Sequence, residues 1–393
     1  MNWLERVIKT TEKLEPPERF WWWASLAALS AVTRRKVYLD RHSYKLYPNI
    51  YVMLLGKSGL RKGVPVDWAR KWVEKTRVTR LIAGRGSVQG IVKSLGTAYT
   101  IEGVGLIKDA HGMLVGGEMA SFLVQDPVAL TVLTDLYDSH YNPTWESILK
   151  HSDTDHLENI YLTLLGASNE IHLKDVIQQR DIEGGFIART FLIQENKKRC
   201  SNDLIDAPVG IGALNTLHEY LAEVARAFGE FSWTSQSKLL YKSWYAEMEA
   251  KKHSDTTGTV DRVTDQVLKV AMLISLGESI DLVMKEDHLL EAIQRCIVCY
   301  GAVQRMTMGS GKSQMAEQTA IILKDLLGRP THEIQRSKLL QKYWGHFDAF
   351  DLDRIVENLL QMKAITQRRN GNDWVYRLTE KTVLAYTQIN DVE

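Results

Sequence analysis

The residues best suited to chemistry lie between positions 56 and 63, where the chain reads Gly56-Lys57-Ser58-Gly59-Leu60-Arg61-Lys62-Gly63. Gly56 and Lys62 have the spacing of the first glycine and the lysine in G-x-x-x-x-G-K-[ST], a loop whose backbone amides cradle phosphate oxygens. Residues 50–55 before it are continuously apolar, and residues 66–78 after it have helical spacing. A buried strand, a glycine-bounded loop and a helix in that order let the loop amides and the first helical turn converge on one point. In this reading Gly56 through Gly63, with Val64, contact a nucleotide, and Lys62 neutralises its β- and γ-phosphates. Arg61 stands where the second glycine belongs, and Gly63 where a Ser or Thr hydroxyl would hold Mg²⁺. A second stretch, Gly309-Ser310-Gly311-Lys312-Ser313, matches the tail of the motif. However, Met306 occupies its first-glycine position and a helical segment precedes it, so it reads as a polar linker.

Further residues in chain order could complete such a site. Residues 112–115 form a short apolar strand leading to Glu118, the candidate general base that would polarise an attacking water. The Asp expected beside it for the metal is replaced by Gly117. With both usual links to Mg²⁺ gone, the ion is expected on the phosphates of ATP, with waters or Glu118 as its contact to the chain. The alternative is a site that binds nucleotide and turns over slowly. Asn169 follows the apolar run 160–165 and is the candidate for orienting the water. Gly184-Gly185 precedes Arg189, the candidate arginine finger given to a neighbouring subunit, with Arg180 in reserve. Arg262 precedes the apolar run 267–276 and is the candidate γ-phosphate contact from a helical lid.

These residues need a scaffold, and the composition limits which one. The apolar fraction is 45% and the charged fraction 25%, which excludes a disordered, collagen-like or coiled-coil chain. Lys plus Arg is 49 against 48 Asp plus Glu, so the surface is not basic all over, although a local basic groove remains open. Three cysteines predict a reducing compartment rather than a disulfide framework. The apolar stretch 21–32 is shorter than the ~20 residues a bilayer demands, and reads as a buried helix with no membrane role.

Helical spacing covers residues 4–14 and 18–32, with Pro16-Pro17 between them. Strands at 50–55, 112–115, 160–165 and 190–193 alternate with helices at 66–78 and 127–137, which predicts an α/β fold with a mostly parallel sheet. Residues 214–304 read as helical, with a polar break at 253–258. Helices at 316–327, 334–343 and 352–362 precede strands at 365–369 and 374–378 around Asn370-Gly371, a strong hairpin signal. That order is the order of a winged helix-turn-helix. The expected organisation is a helical lead (1–45), a core (46–212), a helical lid (213–309) and the winged helix (316–393).

The ordered set carries more weight than any single motif. Leu-Tyr-Pro-Asn-Ile-Tyr-Val, Gly-Lys-Ser-Gly-Leu-Arg-Lys-Gly, Gly-Gly-Glu-Met, Leu-Leu-Gly-Ala-Ser-Asn and Gly-Gly-Phe-Ile-Ala-Arg follow one another along the chain. Over residues 18–305 this resembles the AAA+-like P-loop helicase domain of phage and mobile-element replication proteins. No primase-like module is visible. The resemblance implies an AAA+/RecA-like P-loop NTPase: a ring, a hexamer by analogy, using ATP and Mg²⁺ to move on single-stranded or forked DNA in a bacterial cytoplasm or nucleoid. A separate primase or polymerase is an implied partner. By analogy with minichromosome-maintenance-like and superfamily 3 helicases, a hairpin with arms at 145–149 and 159–165 would project into the pore, with Lys150 and His151 at its tip meeting phosphates. The alternative within reach of these residues is a replication initiator or helicase-loader scaffold with weak ATPase. A weaker alternative is a signalling ATPase whose C-terminal domain contacts proteins.

The other polar features have plainer readings. Arg34-Arg35-Lys36 and Lys197-Lys198-Arg199 read as solvated faces, while Arg368 and Arg369 on the proposed wing are candidate phosphate contacts. Cys296 and Cys299, at i and i+3 on a helix without a second pair, read as buried apolar residues rather than metal ligands. Trp21-Trp22-Trp23 reads as core or subunit contact.

Overall fold

The apolar runs form a five-stranded sheet in the computed structural model. It describes residues 1–83, 87–96, 99–101, 105–107, 109–119, 128–138, 144–147, 155–170, 172–173, 185–202, 211–251, 259–307, 314–371 and 373–384. The strands are Tyr51–Leu55 (β1), Arg80–Ala83 (β2), His111–Gly116 (β3), Tyr161–Ser168 (β4) and Thr190–Gln194 (β5). Every pairing is parallel, and the order across the sheet is β5-β1-β4-β3-β2. All residues of β1 and β4 are buried, which explains why their sequences lack the alternation of a half-solvated strand. The fold is therefore α/β around a parallel sheet, in the first of two compact units, Met1–Ala302 and Val303–Glu393.

Helices Trp3–Thr10 (α1), Glu18–Thr33 (α2), Gly63–Thr76 (α3), Ala129–Tyr137 (α4) and Thr259–Glu278 (α5) belong to that unit. Asn2 starts α1 with a capping box, its side chain accepting from the Glu5 amide at 2.8 Å while the Glu5 carboxylate accepts from the Asn2 amide at 2.9 Å. Helix α2 is buried from Phe20 to Thr33, including all three tryptophans, because it packs on α1, α3, α5 and β4. A helix apolar on all sides is stable only inside a core. The Tyr161 hydroxyl on β4 donates to the Ser30 carbonyl at 2.9 Å, and lies 2.8 Å from the Thr33 hydroxyl, fixing α2 to the sheet. Cys296 and Cys299 are buried in the same core. Among the described residues no helix is long and apolar enough to cross a membrane.

Three expectations need correction. The lead 1–45 is not wholly helical, since Val37–Asp40 pairs antiparallel with Lys45–Leu46. The region 214–304 includes the short strands Gly229–Glu230, Ser232–Trp233 and Val283–Met284, each too brief to register as a period. The expected hairpin exists, but its arms are Trp145–Ser147 and Asp155–Leu157. Residues 161–165 lie in β4 instead, because an unbroken apolar run is better buried at the centre of a sheet than displayed on a hairpin.

The second unit has its own core of Ile322, Leu326, Leu339, Leu352, Ile355 and Leu359. Its elements are Gln314–Leu327 (α6), Glu333–Gln335 (β6), Arg336–Tyr343 (α7), Ala349–Gln361 (α8), Ile365–Asn370 (β7) and Asp373–Leu378 (β8). The strands form an antiparallel sheet of order β6-β8-β7. Ile334, read as the start of a helix, lies instead in β6 opposite Tyr376. Asp348 caps α8 by accepting from the Phe350 and Asp351 amides at 2.9 and 2.8 Å.

Candidate functional site

The register of the sheet gathers the sequence candidates along one edge. Leu55, the last residue of β1, lies opposite Ser168 of β4 and Gln194 of β5, and Gly116 of β3 lies opposite Gly166 of β4. The glycine-bounded loop therefore begins where β4 gives way to Asn169, and Glu118 lies two residues past the end of β3. The Gly56 amide donates to the Ser168 carbonyl at 3.4 Å, joining the loop to the β4 end. A ligand outside the carboxyl ends of parallel strands meets residues from several of them, which is the usual place for one in such sheets.

The loop is built tightly at its root and openly at its crest. A Cβ on Gly56 would fall 2.5 Å from Leu60 Cδ1 and 2.8 Å from the Glu195 carbonyl oxygen, so no larger residue fits there. Leu60 is buried and anchors the loop in the core, while Lys57, Ser58 and Gly59 are exposed. Gly59 has φ of 91° and Arg61 φ of 57°, both in the left-handed region. Arg61 thus adopts the backbone conformation that the motif's second glycine would supply. Its guanidinium is held by Glu15 at 3.0 Å, and Glu15 also pairs with Lys198 at 2.6 Å. Lys198 and Arg61 hold the Glu15 carboxyl below its usual range. Lys62 is mostly buried and donates to the Lys57 carbonyl at 3.4 Å, so its ammonium turns back over the loop. Val64 is exposed in the first turn of α3. Glu118 is exposed as well.

The donor set does not fit a chain-held magnesium. Gly63 and Gly117 offer no side-chain oxygen at the two positions that would ligate it, and among the described residues no cluster of three His, Cys, Asp or Glu is poised for a metal.

The two arginines stand elsewhere. Arg189 immediately precedes β5, whose Thr190 lies opposite Tyr51 at the start of β1. It is therefore at the sheet edge opposite the loop, with five residue steps or ~17 Å separating its level from the end of β1. Its side chain is 7% exposed and is bonded to Asp138 by Nε at 3.1 Å and by Nη2. Arg262 joins the same carboxylate, its Nη1 3.6 Å from Asp138. Arg262, expected in a lid over the γ-phosphate, is thus grouped with Arg189 and Asp138. Arg189 is not displayed as a free finger, because Asp138 neutralises it within the fold.

Sequence reading missed the groups around this pair. Lys269 of α5 is fully buried, donates to Asn49 Oδ1 at 2.9 Å, and lies 3.9 Å from the centre of the Tyr137 ring. Burial pushes its pKa down to about 7. The available signal was a lysine inside the apolar run 267–276; Asp138 left no comparable trace.

In the second unit Arg368 and Arg369 alternate onto opposite faces of β7, opposite Val375 and Trp374 respectively. Arg368 is paired with Glu333 at 3.2 Å, and Arg369 is exposed. The exposed positions of α8 include Asp353, Arg354 and Glu357, a face that is not basic. Lys150, His151, Arg180 and Lys312 lie outside the described residues. Neither a protein-family model nor a curated protein matches the chain.

Proposed function

We propose that the first unit is a P-loop ATPase that drives translocation on single-stranded or forked DNA, as a helicase of phage or mobile-element replication. The observation that carries this reading is the strand order. Strand β4, followed by Asn169, is inserted between the loop strand β1 and the Glu118 strand β3; β1 ends opposite the last residue of β4, and β3 ends two residues short of it. That arrangement suits a water held by Asn169, deprotonated by Glu118 and directed at a γ-phosphate gripped by Lys62 and the loop amides. Arg189 and Arg262, on the opposite edge, suit contact with the triphosphate of a second copy, in a ring of six by analogy with the family resembled. Asp138 would have to release them. The helix–strand–helix–helix–hairpin order of the second unit supports a winged helix, with Arg369 exposed for a phosphate.

The first test is ATP hydrolysis with and without single-stranded DNA. DNA should stimulate turnover, and Lys62→Ala and Glu118→Gln should each remove the stimulation; stimulation surviving in both variants overturns the site. A second reading, an initiator or loader that uses ATP as a slow switch, is favoured by Gly63 and Gly117. Strand displacement on a forked duplex separates the two, since only the motor unwinds it.

A further inference from the structure

Resting on the nucleotide-binding reading, we propose that the loop takes a nucleoside triphosphate whose charge is countered by Lys57, Arg61 and Lys62 instead of by a divalent cation held by the chain. Residues 56–63 contain these three cations and no acid. Two of the three, Lys57 and Arg61, are additional to the motif lysine, and both are exposed at the loop crest. Arg61 is paired with Glu15 at 3.0 Å, but that one carboxylate faces two cations, Arg61 and Lys198, so the group keeps a net positive charge. The extra positive charge is thus on the same eight-residue loop that lacks the metal's hydroxyl ligand.

Packing does not account for the missing ligands. No heavy atom lies within 4 Å of a Cβ built on Gly63 or on Gly117, and neither residue has positive φ. Gly56, Gly112 and Gly166 differ, since each would bring a Cβ to 2.9 Å or less from a neighbour. A hydroxyl at 63 and a carboxylate at 117 would therefore fit. Their absence leaves magnesium the oxygens that the phosphates and water bring, with the exposed Glu118 as its one expected contact to the chain.

Titration of the full chain with a fluorescent ATP analogue, once in magnesium and once in EDTA, tests this. The expected affinities agree within about threefold, or ~0.7 kcal/mol. Lys57→Ala combined with Arg61→Ala should weaken binding in EDTA by about tenfold or more, ~1.4 kcal/mol. Gly63→Ser and Gly117→Asp together should create a preference for magnesium of about tenfold. Unchanged thermal melts establish that each variant is folded. A wild-type chain that binds well in magnesium and loses tenfold or more in EDTA overturns this inference and leaves the nucleotide site standing. Binding in neither buffer overturns both.

Discussion

Arg61 occupies a left-handed turn without the freedom of glycine, at a cost of about 1 kcal/mol or somewhat more. The Glu15 ion pair holds the side chain that makes the substitution tolerable. Gly56 is the opposite case, for its backbone is ordinary but its surroundings are closed. Leu60 could turn aside from a new methyl group, but the Glu195 carbonyl belongs to backbone and must move with its chain. Gly56→Ala is therefore expected to destabilise the first unit by ~1–3 kcal/mol, visible as a fall of several degrees in its melting temperature. At this scale the sequence was partly legible. Glycines at 56, 59 and 63 between an apolar run and a helical one marked the loop, which does lie between β1 and α3. The left-handed φ of Arg61 and its tie to Glu15 left no mark, because the two residues meet only through the fold.

Among elements, apolar runs long enough to be buried on both faces announced β1 and β4, while β2 and β6 were too short to display a period. The hairpin near 150 was legible as a turn between strands, but its second arm was misplaced because β4 claimed the stronger run. Helix α5 carries the least readable feature. Its Lys269 meets Asn49 and Tyr137 from distant parts of the chain, within the field of the charges on Asp265, Asp138, Arg189 and Arg262. Burial lowers its folded pKa to about 7 against an ordinary 10.5. Between those values the unfolded chain binds more protons than the folded one, so stability rises as pH rises, by up to ~1.4 kcal/mol per unit. Below that window this contribution is flat. Urea unfolding between about pH 7 and about pH 9 should show the rise in the wild type and a smaller one in Lys269→Met, whose side chain carries no proton to lose. Equal slopes in the two proteins would mean that Lys269 stays charged in its pocket. The carboxylate of Asp138 makes a second claim on the same elements. Arg189→Ala would leave it with Arg262 and partial contact with solvent, and a cost of ~1–3 kcal/mol is expected for the lost charged hydrogen bonds. The loss should appear in chemical unfolding of the isolated chain, before any second copy is present.

For the whole molecule, the division into two units follows from two separate hydrophobic cores rather than from any one linker sequence. The sequence suggests a separate C-terminal segment from 316, because its helices and hairpin form a pattern of their own, and the second compact unit begins at Val303. The sequence reading also divided the lead, core and lid, which fall together in the first unit because α2 is buried among all three. Two cores predict two largely independent transitions, since interactions distant from one another add. Leu359 is fully buried among Ile322, Leu339 and Ile355, so Leu359→Ala should cost the second unit ~2–5 kcal/mol. Differential scanning calorimetry should show one transition lowered and the other unmoved, and the affinity of the loop for an ATP analogue should stay at the wild-type value. A single transition that shifts as a whole would mean that the two cores unfold together, and the second unit would then be a structural part of the first rather than a module with a surface of its own.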